Sequence, residues 1–211
     1  MGDKNQKTPK NWPNDVKFVS DLQFSGDLSK NLQVGNPNCS FGKRDIELMQ
    51  KISVSKIYGL NSTQHIYRNP TALKTVRIDS LADFPNHPAS PYYGLFATKN
   101  LLSGQLIIPY YGLVTKNQDA FEESDYCLRL NNLAVDANSI GNEGRFVNDY
   151  RGILDKPNAE FKEFINIDLN RIEMGIFVIS NKSKEGIKKK QEICVSYGKG
   201  FWSARSGKSN S

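Results

Sequence analysis

Short apolar runs separated by turn-forming residues are the main pattern of this chain from about residue 71 onward. Many of these runs end at Gly, Asn or Pro, which is typical of short strands. The predicted strands are Val76–Ile78, Gly94–Ala97, Leu106–Tyr111, Tyr126–Leu130, Leu133–Val135, Ala159–Ile165, Gly175–Ser180 and Glu192–Tyr197. Their spacing favours a mainly β fold of several small β-sheets over a fold in which strands alternate with helices.

The first 70 residues have a different pattern. Residues 1–15 are rich in Lys, Asn, Asp and Pro, and we predict that they are disordered. The segment Lys43–Tyr58 has apolar residues at helical spacing, and Val16–Phe24 is a second helix candidate. We therefore expect residues 16–70 to form a partly helical extension, whose role, either to cap the next domain or to form a homodimer, stays open.

Length and charge narrow the class of protein. A chain of 211 residues can bury a core without disulfides, and we expect one domain over residues 71–202 and a flexible tail over residues 203–211. The net charge of +6, densest at Lys188–Lys190, suggests acidic partners such as chromatin, although a solvated lysine surplus explains it equally well. No apolar run is long enough to span a membrane, and the polar N-terminus does not resemble a secretory signal.

The cysteines and histidines argue against a metal site. The chain has 3 Cys, at positions 39, 127 and 194, and 2 His, without a Cys-x-Cys or Cys-x-x-Cys pair. We therefore expect no structural zinc, and thiols that are reduced inside a cell.

Four sequence motifs follow one another in the predicted domain. They are Tyr93-Gly94-Leu95-Phe96-Ala97, then Ile108-Pro109-Tyr110-Tyr111-Gly112, then Gly141-Asn142-Glu143-Gly144-Arg145-Phe146-Val147-Asn148 with Pro157-Asn158 after it, and finally Glu192-Ile193-Cys194-Val195-Ser196-Tyr197-Gly198. Each is weak alone, but their order and spacing together are specific. Over about residues 92–198 they resemble the SET domain of protein lysine methyltransferases, in a small member without zinc-binding cysteines.

The resemblance implies both a fold and a reaction. The implied fold is mainly β, with a pseudoknot, a knot-like crossing of the chain, packed by Arg145 and Phe146. The implied activity transfers a methyl group from S-adenosyl-L-methionine to a protein lysine and leaves S-adenosyl-L-homocysteine. A histone tail in the nucleus is the expected substrate, with a nucleosome contact through the basic surface. A non-histone protein and a cytoplasmic location are the alternatives.

This reaction sets clear requirements on its site. The target amine must be neutral, whereas a free lysine has a pKa of about 10.4. Burial in an aromatic channel disfavours the charged amine, and alignment with the methyl carbon supplies much of the acceleration. The site therefore needs aromatic residues and a positioned hydroxyl group rather than a strong base.

The resemblance assigns three residues to catalysis. Tyr197 matches the family's catalytic tyrosine, and Tyr110 matches a tyrosine that lines the lysine channel. Phe161 lies where some relatives have a channel aromatic. Taken singly, each of these residues would more often be a core aromatic on a strand.

The resemblance also implies cofactor contacts. The implied residues are Tyr93, Gly94, Leu95, Phe96, Tyr126, Asn148, Asp149, Tyr197 and Trp202. Gly94 would permit close approach of the main chain to the ligand, and the Asn148 amide can both donate and accept. Trp202 is placed to stack on the adenine, or equally to pack in the core. Without the zinc-binding cysteines, residues 199–211 must close this side of the site.

Four positions depart from the family pattern. Tyr92 replaces a glycine, Pro109 a glutamate, Asp149 a histidine and Ser196 an aspartate. These departures make a catalytically silent SET module that binds chromatin or a protein partner the main alternative to an active enzyme. An unrelated basic β-rich protein is the least favoured alternative.

The number of methyl groups transferred is a further expectation. In the family, a tyrosine hydroxyl near the channel can anchor a water and restrict the product to one methyl group. The corresponding positions here are Phe161 and Val195, which have no hydroxyl. We therefore predict a capacity for di- or trimethylation.

Overall fold

The protein is built mainly from short strands. The computed structural model describes residues 7–26, 28–33, 66–67, 74–116, 124–180 and 185–206. In chain order the strands are β1 (Lys17–Phe18), β2 (Gln23–Phe24), β3 (Ile66–Tyr67), β4 (Val76–Ser80), β5 (Tyr93–Ala97), β6 (Leu106–Pro109), β7 (Leu113–Thr115), β8 (Cys127–Leu130), β9 (Leu133–Asp136), β10 (Ile140–Gly141), β11 (Asn148–Asp149), β12 (Ala159–Asn166), β13 (Arg171–Val178) and β14 (Cys194–Val195). Short 3-10 helices lie at Ser29–Leu32 and Glu143–Phe146, and an α-helix, α1 (Gly198–Ser206), follows β14.

The strands pair into several small sheets, as the sequence pattern predicts. The two larger sheets have the strand orders β3-β12-β13-β6 and β2-β7-β9-β8. Three further pairs are β4 with β5, β1 with β10, and β11 with β14. The mainly β prediction is therefore confirmed, whereas the pseudoknot stays a prediction.

The antiparallel hairpin of β12 and β13 forms the largest pairing. Every residue of β13 is buried, because this strand lies between β12 and β6. A strand in such a position is mostly apolar, and its two charged residues, Arg171 and Glu173, form an ion pair with an Nη2–Oε1 distance of 2.5 Å. The Tyr111 hydroxyl donates to Glu173 Oε2 at 3.0 Å, and Arg171 also bonds Asp21. This network ties the N-terminal segment to the centre of the domain.

The second and third motifs hold each other in place. The Asn142 side chain donates through Nδ2 to Pro109 O at 2.8 Å and accepts from Tyr111 N at 3.1 Å, so one amide satisfies the main chain on both sides of Tyr110. Gly112 follows, where a Cβ atom would lie 2.2 Å from Asp136 O. Only glycine permits this approach, which lets the chain continue into β7 beside β9.

The predicted strand positions agree with the structure, but the sequence pattern missed several elements. The main omissions are β7, β10, β11 and the first half of β13. The predicted helix over Val16–Phe24 is wrong, because this segment contains β1 and β2, which pair in parallel with β10 and β7. Its buried Val16, Val19 and Leu22 fit a helical spacing, yet the main chain bonds the domain instead, with Lys17 N donating to Ser139 O at 2.9 Å. The other helix candidate, over residues 43–58, lies outside the described residues.

The structure describes part of each region that the sequence assigns to a tail or to its border. Residues 7–15, which their composition assigns to a disordered tail, contact the domain: the Trp12 ring lies 5.5 Å from Phe146, and Asn11 Nδ2 donates to Ile78 O at 2.8 Å. At the other end, α1 runs past the predicted boundary at residue 202. Within the described ranges, no helix is long and apolar enough to cross a membrane.

Candidate active site

The fourth motif begins as an extended segment, buried from Glu192 to Val195, that lies between the first and the third motifs. Ile193, Cys194 and Val195 are fully buried, and β14 pairs in parallel with β11. On the other side, Ile193 N donates to Leu95 O at 2.8 Å. The Asn158 side chain supplies the missing partners, since its Oδ1 accepts from Cys194 N and its Nδ2 donates to the Glu192 carbonyl, both at 2.8 Å. Three motifs that are distant in sequence are thereby brought together.

A nearly buried carboxylate, Glu192, connects this segment to the predicted cofactor residues. Its Oε1 accepts from Asn148 Nδ2 at 2.9 Å, and its Oε2 lies 2.9 Å from His87 Nε2. Asn148 Nδ2 also donates to Tyr93 O at 3.2 Å. A Cβ atom on Gly94 would lie 2.7 Å from Glu192 Oε1. Gly94 therefore leaves room for the Glu192 carboxylate, a use that the sequence did not reveal.

Asp149 is a second connecting carboxylate, at the position where the family pattern described above implies a histidine. Its Oδ2 accepts from Tyr197 N at 2.8 Å and from Trp202 Nε1 at 3.3 Å, and its Oδ1 accepts from Arg151 N at 3.0 Å. The Arg151 guanidinium also pairs with Oδ2 at 3.2 Å and lies 5.3 Å from the Trp202 ring. A neutral histidine has one acceptor nitrogen and could not serve all these donors. Aspartate at this position is therefore explained by the hydrogen bonds that it accepts.

A small cavity of about 90 Å³ opens beside Tyr197. Its lining is mostly aromatic and apolar, and comprises Tyr110, Asp125, Tyr126, Cys127, Leu128, Arg145, Val147, Phe161, Ser196, Tyr197 and Phe201. The Tyr110 and Phe161 rings meet edge to face at 5.6 Å, and the Tyr197 and Phe201 rings do so at 4.7 Å. The three residues predicted to be catalytic therefore line one cavity, and Phe201 helps to close it.

The hydroxyl groups of Tyr197 and Tyr110 are both bonded to main-chain carbonyls. The Tyr197 hydroxyl donates to Val147 O at 2.7 Å, and the Tyr110 hydroxyl donates to Tyr126 O at 2.8 Å. Burial is the largest cause that raises the pKa of each phenol well above its ordinary value, and nearby acidic groups such as Asp149 add to it. Both phenols are therefore protonated near neutral pH, and only their oxygen lone pairs are left for a ligand.

Other cavity residues add charge but little reactivity. The Arg145 guanidinium lies 4.3 Å from the centre of the Tyr126 ring and donates to Ala137 O at 2.9 Å. Burial raises the pKa of the Cys127 thiol to about 12, so this thiol is uncharged near neutral pH. Asp125 also lines the cavity and adds a negative charge opposite in sign to that of Arg145. Among the described residues, no cluster of three or more His, Cys, Asp or Glu side chains could hold a metal ion.

The remaining predicted cofactor residues do not share one environment. Tyr93 and Gly94 lie beside Glu192, whereas Leu95 is fully buried with its carbonyl bonded to Ile193. Phe96 is half-buried under the Arg77 guanidinium, at 5.9 Å. Trp202 leaves 41% of its surface exposed. Leu95 is thus a support within the core, and its contact with a cofactor stays a prediction.

The role of Asp149 can be tested by an isosteric change. We expect Asp149→Asn to lower the free energy of unfolding by about 1–3 kcal/mol, because one acceptor oxygen becomes a donor that faces other donors. Urea unfolding measures this change. Asp79→Asn is the matched control, since Asp79 forms a partly exposed pair with Arg77 and its substitution should cost less than about 1 kcal/mol. Equal losses in the two variants would contradict a connecting role for Asp149.

Comparison with known proteins agrees with this geometry. A sequence model described as the SET domain matches residues 92–198, which contain all four motifs and make up just over half of the chain. No curated protein matches the chain significantly. The matched span includes Asn148, Tyr197 and the buried residues Ile193–Val195. The chain therefore belongs to the SET-domain family.

Proposed function

We propose that this protein is an S-adenosyl-L-methionine-dependent protein lysine N-methyltransferase. SET domains are typically enzymes of this kind, and one observation carries the proposal for this chain. The Tyr197 hydroxyl borders an aromatic cavity, with its proton held by Val147 O and its lone pairs left for a ligand. This arrangement suits the methyl group that is transferred better than it suits acid–base chemistry.

The cavity supports the neutral form of an incoming lysine. Aromatic side chains replace the water that stabilises a charged amine, and the two charged groups of the wall, Arg145 and Asp125, oppose each other in their effect on that charge. The loss of water lowers the pKa of a bound amine, which then forms the new bond through its free lone pair. Because Tyr197 and Tyr110 are protonated already, neither can take the proton, and the amine must lose it before it reacts.

The described residues also fit the proposed cofactor. When bound, S-adenosyl-L-methionine supplies a methyl group on a positively charged sulfur. The Asn148 amide directs both protons at Tyr93 O and Glu192, so its oxygen is the atom that can accept from an ammonium group. The part-exposed Trp202 ring offers a surface on which an adenine can stack. We assign these two residues, with Tyr93, Gly94, Phe96, Tyr126 and Asp149, to the cofactor site.

A histone lysine is the substrate that we propose. Lys188, Lys189 and Lys190 are all exposed and lie near Asn100, whose side chain accepts from Lys189 N at 2.9 Å. With the net charge of +6, this surface favours nucleosomal DNA as a neighbour of the substrate and a nuclear location. A non-histone substrate would use the same cavity, and an assay of several protein fractions separates the two.

The main test is methyl transfer with matched tyrosine variants. We expect tritium from labelled S-adenosyl-L-methionine to reach lysine in nucleosomes or free histones, and Tyr197→Phe to lower the rate at least about tenfold, because it removes the only polar atom of that side chain. Tyr92→Phe is the control, since Tyr92 is 71% exposed and should leave the rate unchanged.

Two results would oppose the proposal. A Tyr197→Phe variant as fast as the parent would remove Tyr197 from catalysis. A protein that binds chromatin but transfers no methyl group to histones or to a cell extract would support the silent-module alternative instead.

The dependence of rate on pH tests the proton account. We expect the logarithm of kcat/KM to rise with pH between about 7 and 9, because the substrate amine must be neutral. It should not fall by pH 10, where an ordinary tyrosine ionises, since burial raises the pKa of Tyr197. Steady-state rates at saturating cofactor measure this profile, with circular dichroism to verify folding. A decline between pH 8 and 10 in the folded enzyme would refute it.

The number of methyl groups depends on Phe161 in this structure. Phe161 lines the cavity, whereas Val195 is fully buried and does not. We expect di- or trimethylated products from the parent and mainly monomethylated product from Phe161→Tyr, because the added hydroxyl occupies space in a small cavity. Mass spectrometry of a methylated peptide measures this, and Phe84→Tyr, at an exposed position, is the control. Only monomethylated peptide from the parent at long times would disprove the prediction.

A further inference from the structure

We propose that His87 is a positioning residue of the cofactor site, which acts through Glu192 to fix the orientation of the Asn148 amide. The inference rests on the proposed function, because it assumes that the amino-acid end of the cofactor binds at Asn148. His87 lies outside the four motifs and outside the span of the family match. Its role is therefore inferred from its contacts alone and not from the family match.

His87 lies on the loop that connects β4 to β5. The base of this loop is closed by Leu81 N, which donates to Tyr92 O at 2.9 Å. Within it, His87 N donates to Phe84 O at 2.9 Å, so the residue is held in a turn. Its side chain is only 13% exposed and faces Glu192, which is 105 positions away in sequence. The loop is thus attached directly to the fourth motif.

The hydrogen bonds determine which ring nitrogen of His87 carries the proton. Ala89 N donates to His87 Nδ1 at 3.1 Å, so Nδ1 must be an acceptor. The proton of the neutral ring is then on Nε2, which donates to Glu192 Oε2 at 2.9 Å. This contact occupies one oxygen of the carboxylate and leaves the other, Oε1, to accept from Asn148.

The Asn148 amide has one orientation that satisfies its neighbours. Nδ2 lies 3.2 Å from Tyr93 O and 2.9 Å from Glu192 Oε1, and both of these atoms accept hydrogen bonds. An inverted amide would place Oδ1 against two acceptors, which is unfavourable. The carboxylate therefore keeps Oδ1 on the opposite side, where it can accept from the ammonium group of the cofactor.

Removal of His87 should loosen this arrangement. A nearly buried carboxylate that loses one donor takes up another partner, by rotation or by contact with water, and its hold on Asn148 weakens. An Asn148 amide that can invert would direct a donor at the ammonium group. The loss should therefore affect ligands that carry this group and should spare ligands that lack it.

Two ligands separate this effect from general damage. S-adenosyl-L-homocysteine contains the ammonium and carboxylate groups, whereas methylthioadenosine has the same adenine, ribose and sulfur without the amino-acid end. Calorimetry of the parent and of His87→Asn gives the dissociation constants. Asn can preserve the turn on the loop but is too short to reach Glu192. We expect about a tenfold weaker affinity for S-adenosyl-L-homocysteine and less than a twofold change for methylthioadenosine.

Two further variants complete the experiment. His87→Gln places a donor near the position of Nε2, and we expect it to recover most of the affinity for S-adenosyl-L-homocysteine. Phe84→Ala changes an exposed residue on the same loop, 59% exposed, and should alter neither affinity. Thermal unfolding of each variant verifies that it is folded. If His87→Asn does not fold, the comparison of His87→Gln with the parent remains informative.

The outcomes are distinct. Equal weakening of both ligands in His87→Asn, or no change in either, would overturn the positioning role while the cofactor site stands. So would a His87→Gln variant that is folded but as weak as His87→Asn. If the parent binds neither ligand, the proposed function fails as well, and that result appears before any variant is compared.

Discussion

The segment from Glu192 to Tyr197, which is buried from Glu192 to Val195, is the constraint on which the rest of the site depends. A buried main chain must find a partner for each N–H and C=O group, and this segment has only short strands beside it. Asn158 replaces a strand partner by bonding main-chain atoms of Glu192 and Cys194 with its side chain. The geometry of the site therefore follows from hydrogen-bond satisfaction in the core, so that packing and function share the same contacts.

Two carboxylates fix the orientation of the polar groups around this segment. Glu192 faces β5 and orients Asn148, whereas Asp149 faces α1 and holds Tyr197 and Trp202. Neither lies among the residues that line the cavity, where Asp125 and Arg145 are the charged groups among phenols and apolar rings. The structure thus keeps these two acceptors behind the site and presents to a ligand mainly aromatic faces and hydroxyl oxygens.

Much of the β structure could be predicted, since short apolar runs between turn residues are a local signal. The first half of β13 was missed because Arg171 and Glu173 interrupt the run, and their pairing depends on distant partners. The helix prediction for Val16–Phe24 is wrong because the apolar residues of this segment fit both the helical and the strand periodicity. Only the pairing with β7 and β10 shows that the segment forms strands.

The candidate site shows the same limit. The motifs identified Tyr197, Tyr110 and Asn148. Asp149 differs from the family pattern, and only the structure shows the donors that it accepts from. No pattern in the sequence indicated the contact of His87 with Glu192. Contacts between residues far apart in sequence carry no periodicity, so a single chain cannot reveal them. What the sequence supplied was the identity of the groups, and what the fold added was their orientation.

Amide hydrogen exchange in the cofactor-free protein tests the central claim most directly. The segment from Glu192 to Tyr197 is held by the protein's own hydrogen bonds, at Ile193 N, Cys194 N and Tyr197 N. We expect these three amides to exchange as slowly as those of β13 before any ligand is added. Rapid exchange that becomes slow only with S-adenosyl-L-homocysteine would contradict the account, because the ligand would then be forming the site.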